Sequence, residues 1–184
     1  MKTNEKIVAG AAAAGLGVLI YALTRTPVIP PDGSGAGDLS LELYDQYGHR
    51  IAGNTGGIAL LPASVVEGAV LSAVIKVTNT SIQRTGAGDV PIAANMWLSF
   101  YAGTSILSWQ TSVEKQVLFA AGETKTFTAT EWPALQFTVA VGSGTPGSVV
   151  AVLRDPNKVS LNNAVVSLIV APAEIKYGGT IVFV

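Results

Sequence analysis

The sequence predicts an all-β fold, an antiparallel β-sandwich, preceded by a single N-terminal transmembrane α-helix. Three observations predict it. Residues 7–23, IVAGAAAAGLGVLIYAL, form an uncharged apolar run at the short end of the roughly 17–25 residues a spanning helix needs. Beyond it, short alternating or β-branched runs recur with turn residues at about ten-residue spacing, and no segment sustains a helical period. Charged residues make up only 12% of the chain, with a net charge of −1. Ordinary soluble proteins carry about 25%. So little charge suits a domain whose surface is partly covered by neighbours; a neutral Ser/Thr/Gly-rich surface is the alternative.

The chain divides into an anchor at residues 1–25, a linker at 26–37 and a β-domain at 38–184. Lys2 and Lys6 precede the apolar run, as they would in a secretory signal or a retained anchor. The far end favours retention. Cleavage after Ala22 would place Ile20 at −3, and cleavage after Thr24 would place Arg25 directly behind the cut. The basic count puts the N-terminus inside and the β-domain outside, making this a single-pass protein of a virion membrane or cell envelope. Gly10/Ala14, Ala11/Gly15 and Ala13/Gly17 are small residues four apart. Such a face, with Gly10, Ala14, Gly15 and Gly17, lets helices pack closely in lipid. A weakly hydrophobic anchor with no partner is the plainer reading. The linker begins with Pro27, Pro30 and Pro31, which stiffen it, and ends in a flexible Gly/Ser run. That run lacks the Lys-Ser/Thr ending of a phosphate loop.

Within the domain, LSLELY at 39–44 alternates as a first strand. Residues 45–57, rich in glycine, read mostly as turn. A short apolar run at 58–61 is closed by Pro62. VLSAVIKVT at 70–78 is a strong strand with Leu71, Ala73, Ile75 and Val77 on one face. Residues 79–89 read as a long polar loop, with Asn79-Thr80-Ser81 a glycosylation sequence on paper. NMWLSFY at 95–101 is a strand with Trp97 expected in the core, and Gly103-Thr104 a turn. Strands follow at 113–119, at 124–130 behind the AAGE turn, and at 135–141. Residues 142–147 are a loop tip. VVAVL at 149–153 and AVVSLIV at 164–170 read as buried strands, separated by a polar turn region at 154–163. Residues 174–184 read as final strands around Gly178-Gly179. The apolar terminal residues Ile181, Val182, Phe183 and Val184 either close the domain's own sheet or form an assembly strand on another subunit's edge.

Residues 70–170 resemble the CARDB family of Ig-like modules of prokaryotic surface and adhesive proteins. The resemblance is carried by VIKVTNTS (74–81), MWLSFYAG (96–103), LFAAGETKTFTATEW (118–132) and VLRDPNKVSLNNAVVSLIV (152–170). It implies a seven-stranded sandwich with an adhesive or structural role and carries over no catalytic residues. Together with the strand count it sets the expected fold as an Ig-like or jelly-roll-type antiparallel β-sandwich. The insert at 82–89 and the extra strands at both ends depart from the family pattern.

The chemistry-bearing residues are sparse. There is no cysteine, hence no disulfide and no thiolate zinc site. The one histidine, His49, sits in a turn beside Arg50, and no Gly-x-Ser-x-Gly marks a nucleophile. Glu114, Glu123, Glu131, Asp89 and Asp155 are the carboxylates from which a glycosidase pair would be drawn, but mostly occupy strand ends or turns. Asp155, Asn157, Asn162 and Asn163 are oxygen donors without an EF-hand pattern, and turns favour such residues for conformational reasons. Trp109 and Trp132 are the candidate partner-binding aromatics, with core-edge packing the alternative. The net charge gives no footprint for nucleic acid. The sequence is therefore read as a non-enzymatic, membrane-anchored structural or assembly protein without catalytic residues, metal or cofactor. Its expected partners are a lipid membrane and copies of itself or other structural proteins, as in a virion linking a capsid or spike to lipid. A cell-surface adhesin or filament subunit, or a monomeric carbohydrate- or protein-binding module, is the alternative.

Overall fold

The computed structural model describes residues 37–55, 57–58, 62–105, 108–139 and 146–172. The anchor at 7–23 with its small-residue face, the linker up to residue 36, and Ile181, Val182, Phe183 and Val184 lie outside the described residues. Among the described residues no helix is long and apolar enough to cross a membrane.

The described chain is all-β. In order, its strands are β1 (Gly37–Tyr44), β2 (Arg50–Thr55), β3 (Gly57–Ile58), β4 (Ala63–Val66), β5 (Val70–Asn79), β6 (Ile82–Thr85), β7 (Gly88–Pro91), β8 (Ala94–Ser105), β9 (Ser108–Phe119), β10 (Thr124–Phe127), β11 (Gln136–Thr138), β12 (Pro146–Arg154) and β13 (Ser160–Ala171). One 3-10 turn, Pro133–Leu135, lies between β10 and β11. The first sheet runs β10-β5-β1-β2, with β11 also on β5. The second runs β3-β13-β12-β8-β9, with β4 also on β13. Among the described residues, β6 and β7 pair only with each other.

The alternation in β1 and β5 produces the sandwich. Leu39, Leu41 and Leu43 are buried beside Leu71, Ala73, Ile75 and Val77. They share one core cluster with Met96, Leu98 and Phe100 of β8, Val149, Ala151 and Leu153 of β12, and Ala164, Val166 and Leu168 of β13. Phe100 and Phe137 meet across the two sheets with ring centroids 5.9 Å apart. Each buried Leu, Val or Phe removes apolar surface worth about 1.5–3 kcal/mol, so this core is the main source of stability.

Several elements differ from the sequence reading. Residues 50–55, read as turn, form β2. A turn centred on Asp45, whose carboxylate Oδ1 accepts the backbone N–H groups of Tyr47 and His49, folds them back onto β1. The polar loop at 79–89 contains the β6–β7 hairpin, held by cross-strand pairs and not by an apolar face. β8 and β9 form one long hairpin with two register shifts near Gly103, where a turn was expected. β10 stops at Phe127, because the backbone N–H groups of Glu131 and Trp132 turn back to the Thr128 carbonyl. β13 starts at Ser160 and takes in Asn162 and Asn163. β3 and β4 pair parallel to β13, so the sheets are not wholly antiparallel. β3 and β4, which lie between β2 and β5 in the chain, thus belong to the second sheet and run in the direction of β13.

Candidate interaction face

The inner positions of the second sheet form core. Its outer face is set by the opposite phase of the same strands. Register places Trp97 of β8 between Gln116 of β9 and Arg154 of β12, Ser99 between Glu114 and Val152, and Tyr101 between Ser112 and Val150. Val150 in turn lies opposite Val165 of β13. Trp97, expected in the core, is therefore on the outer face, half-buried. Both phases of NMWLSFY are apolar, so alternation alone does not choose between Met96/Leu98/Phe100 and Trp97/Tyr101.

At one end of this face lies an ionic cluster. Lys158 Nζ meets Glu114 Oε2 at 2.6 Å. Ser99 donates to Glu114 Oε1 at 3.0 Å and receives a hydrogen bond from Arg154 Nη1. Arg154 Nη2 reaches the Tyr101 hydroxyl at 3.3 Å, and its Nη1 lies 3.6 Å from Glu114. The Lys158 ammonium also sits 4.3 Å from the centroid of the Trp97 ring, a cation–π contact. The hydrogen bond from Lys158, then that from Ser99, with the Lys158 and Arg154 charges, hold the Glu114 carboxyl below the usual glutamate range against the opposing effect of burial. One carboxylate shared by two cations leaves the patch with a single net positive charge.

The lysine is held there by backbone geometry. Asp155 opens a tight turn in which its carboxylate accepts the Val159 N–H at 2.8 Å and its carbonyl accepts the Lys158 N–H. Lys158 occupies the left-handed region, φ 63°. The Asp45 turn has the same bonds and puts Gly48, φ 83°, at the matching position. Lysine stands where glycine is favoured. Behind the cluster, Val150, Val152 and Val165 form a second buried group with Tyr101 packed on it. β12 and β13 thus bury both faces, as their continuous apolar runs predicted.

The other chemistry-bearing residues are dispersed. The His49 ring is exposed and meets Asp45 Oδ2 at 3.1 Å. The Asp45 carboxyl is held below its ordinary value, chiefly by the backbone hydrogen bond from His49. Glu123 Oε2 accepts the Ala120 N–H at 2.7 Å and pairs with Lys125. Asp89 lies opposite Arg84 in the β6–β7 hairpin, and Glu131 is exposed in a turn. Among the described residues no three His, Cys, Asp or Glu side chains gather as a metal site. The Asn162 side chain donates to the Gly37 carbonyl at 3.0 Å. Trp132 packs against the core with its ring nearly perpendicular to that of Phe127, at 6.3 Å. Trp109 pairs with Gly103 on β9, and its side chain lies outside the described part. Asn79 is 1% exposed, and its amide nitrogen donates to the carbonyls of Ile92 and Ala120, both at 2.8 Å. The glycosylation sequence therefore presents a buried, fully engaged side chain. Glu114, Arg154 and Lys158 were not combined in the sequence reading, because only the strand register brings them together.

No protein-family model matches the chain, and no curated protein shows significant sequence similarity to it. Among solved structures, the chain is similar to a crystal structure of Bacteroides uniformis β-glucuronidase, at 13% identity and a TM-score of 0.37. The match covers 77% of this chain and only about a quarter (25%) of that one.

Proposed function

We propose that this chain is a non-enzymatic structural and assembly protein, an Ig-like β-sandwich held at a lipid membrane by residues 7–23 and packed against copies of itself or other structural proteins. The observation that carries this reading is the character of the second sheet's outer face. Its one carboxylate, Glu114, ties down both Arg154 and Lys158, its centre is a buried valine group, and its margin exposes Ile169. A face whose few charges are paired within it, with an apolar margin, suits packing against another protein surface. The Ig-like assignment draws support from β4 running parallel to β13 and from β5, β8, β12 and β13 divided between the sheets. The setting is a virion that ties a capsid or spike to lipid, or a cell-surface adhesin or filament.

The test uses the full chain in detergent and in lipid vesicles. It should float with the vesicles and associate in detergent, and Gly10→Leu with Ala14→Leu should shift it toward monomer by crowding the small-residue helix face. A chain that remains monomeric in both media counts against assembly and favours a monomeric binding module.

A further inference from the structure

The registers place many of the chain's turns at one end of the sandwich. Gly37, the first residue of β1, lies opposite Asn79, the last of β5. The β6–β7 hairpin leaves from there. The start of β8 lies opposite the end of β9, and the end of β12 opposite the start of β8. The Ala120–Glu123 and Asp155–Val159 turns therefore share this end with the hairpin and with Gly37. The Asp45–His49 turn and the Glu67–Gly68 turn occupy the other.

Three hydrogen bonds fix the base of the hairpin to the body. Asn79 donates to the Ile92 carbonyl at 2.8 Å, the Ile92 N–H to the Ser81 carbonyl at 3.0 Å, and the Ser81 N–H to Asn79 Oδ1 at 3.0 Å. Its strands pair with no others in the described structure. From β6 Gln83 to β7 Pro91 every residue is exposed. Strands of this length reach about 13 Å. An isolated two-stranded hairpin is marginal in water, so one kept regular on a clamped base is suited to contact. Its one facing charge pair, Arg84 and Asp89, cancels. Val90 on the hairpin, Leu118 beside the Ala120 turn and Val159 beside the Lys158 turn are exposed at 48%, 66% and 49%.

We propose that this end of the sandwich rests on the lipid surface, with the β6–β7 hairpin as its contact arm and Val90, Leu118 and Val159 as its apolar contacts. This rests on the reading of residues 7–23 as a membrane anchor. The occupant follows from where the tether arrives. Residues 24–36 join the apolar run to Gly37 and span about 45 Å at full extension. They deliver the chain to the hairpin end, so that end is the one tethered nearest the bilayer, and the opposite turns are farther from the anchor by the length of the strands. Cancelled charge and three exposed apolar side chains suit a zwitterionic surface better than an electrostatic partner.

The chain has no cysteine, so single labelling sites are easily introduced. Full-length Ala87→Cys and Tyr47→Cys variants carry a fluorophore, one at the hairpin tip and the other in the opposite turn. They are reconstituted in phosphatidylcholine vesicles bearing a headgroup quencher in both leaflets. The label at 87 should be quenched several-fold more than that at 47, and Val90→Asp with Leu118→Asp should reduce the difference. Equal quenching in vesicles that carry the chain overturns this inference and leaves the anchor standing. Energy transfer between copies labelled at 87, without headgroup quenching, overturns it in favour of a second copy. A chain that fails to float with vesicles overturns both the anchor and this inference.

Discussion

Asn79 ties together three segments distant in sequence. Its side chain bonds the carbonyls of Ile92 and Ala120 and the N–H of Ser81, and its own N–H reaches Glu123 O. Asn79→Ala removes a buried side chain's hydrogen bonds to the Ile92 and Ala120 carbonyls and the Ser81 N–H, a loss of about 2–4 kcal/mol. In a domain of this size that lowers Tm by roughly 5–15 °C; an unchanged melting curve would mean the bonds contribute nothing. Lys158 poses the opposite case, a residue in a disfavoured backbone state retained with its side-chain contacts. Glycine relieves about 1 kcal/mol of backbone strain and forfeits an ion pair and a cation–π contact of similar combined size. Lys158→Gly should therefore melt within about 1 kcal/mol of the parent, whereas Lys158→Ala keeps the strain, loses the contacts and falls about 1–2 kcal/mol below it. Lys158→Ala melting at or above Lys158→Gly would refute that balance. Glu114 makes the cluster pH-dependent. Its folded value lies below the unfolded value of about 4.3. Its contribution is thus complete above about pH 4.3 and is lost as pH falls through the lowered folded value. The Tm gap between the parent and Glu114→Gln should be constant from pH 7 to about 5 and close toward pH 3, as followed by calorimetry. A gap that persists at pH 3 would place its origin outside the carboxylate's charge.

At the scale of elements, β9 is an edge strand with no outer neighbour in the described structure. Lys115 points to its inner side, in phase with Val113 and Val117 and opposite Leu98. An inward lysine on an edge opposes the addition of another strand. On the first sheet's edge, Lys125 of β10 lies opposite the core residue Val77, and its ammonium reaches the Leu118 carbonyl at 2.7 Å. Lys115→Ile should therefore add association through this flank, visible as a concentration-dependent shift in sedimentation beyond the parent's own. No added shift would mean that the lysine is not what keeps the edge unpaired. The same strands explain what could be read in advance. β1 and β5 were legible because one face is apolar, and β12 and β13 because both are. β2 was hidden by Gly53 and by polar Arg50, Asn54 and Thr55, since its pairing is set by the Asp45 turn and not by an apolar face. β6 and β7 show no alternation because they bury almost nothing. The ionic cluster was hidden for another reason. Glu114, Arg154 and Lys158 are neighbours only through the pairing of β9 with β8 and of β8 with β12, and sequence spacing does not encode that register.

For the whole molecule, the consequence is a sheet with two covered faces. Val149, Ala151 and Leu153 look into the sandwich, whereas Val150, Val152 and Val165 form a separate buried group on its outer side. Low charge, a positive mean hydropathy and continuous apolar runs are then one property, a domain that covers more than one layer of side chains. If the outer valines are as fully packed as the core, an acidic residue there must be desolvated without a partner. Val165 is 1% exposed, whereas Ser167, two residues along the same face, is only half-buried. Val165→Asp should accordingly cost more than about 3 kcal/mol, in the range of a core charge insertion, and Ser167→Asp less than about 1 kcal/mol. Urea titration of the two variants reads this directly. Equal, small losses would mean that the outer layer opens readily to water, and the sheet would then behave as one-sided. A large loss confined to Val165 would establish that the outer layer is covered tightly enough to act as a second core.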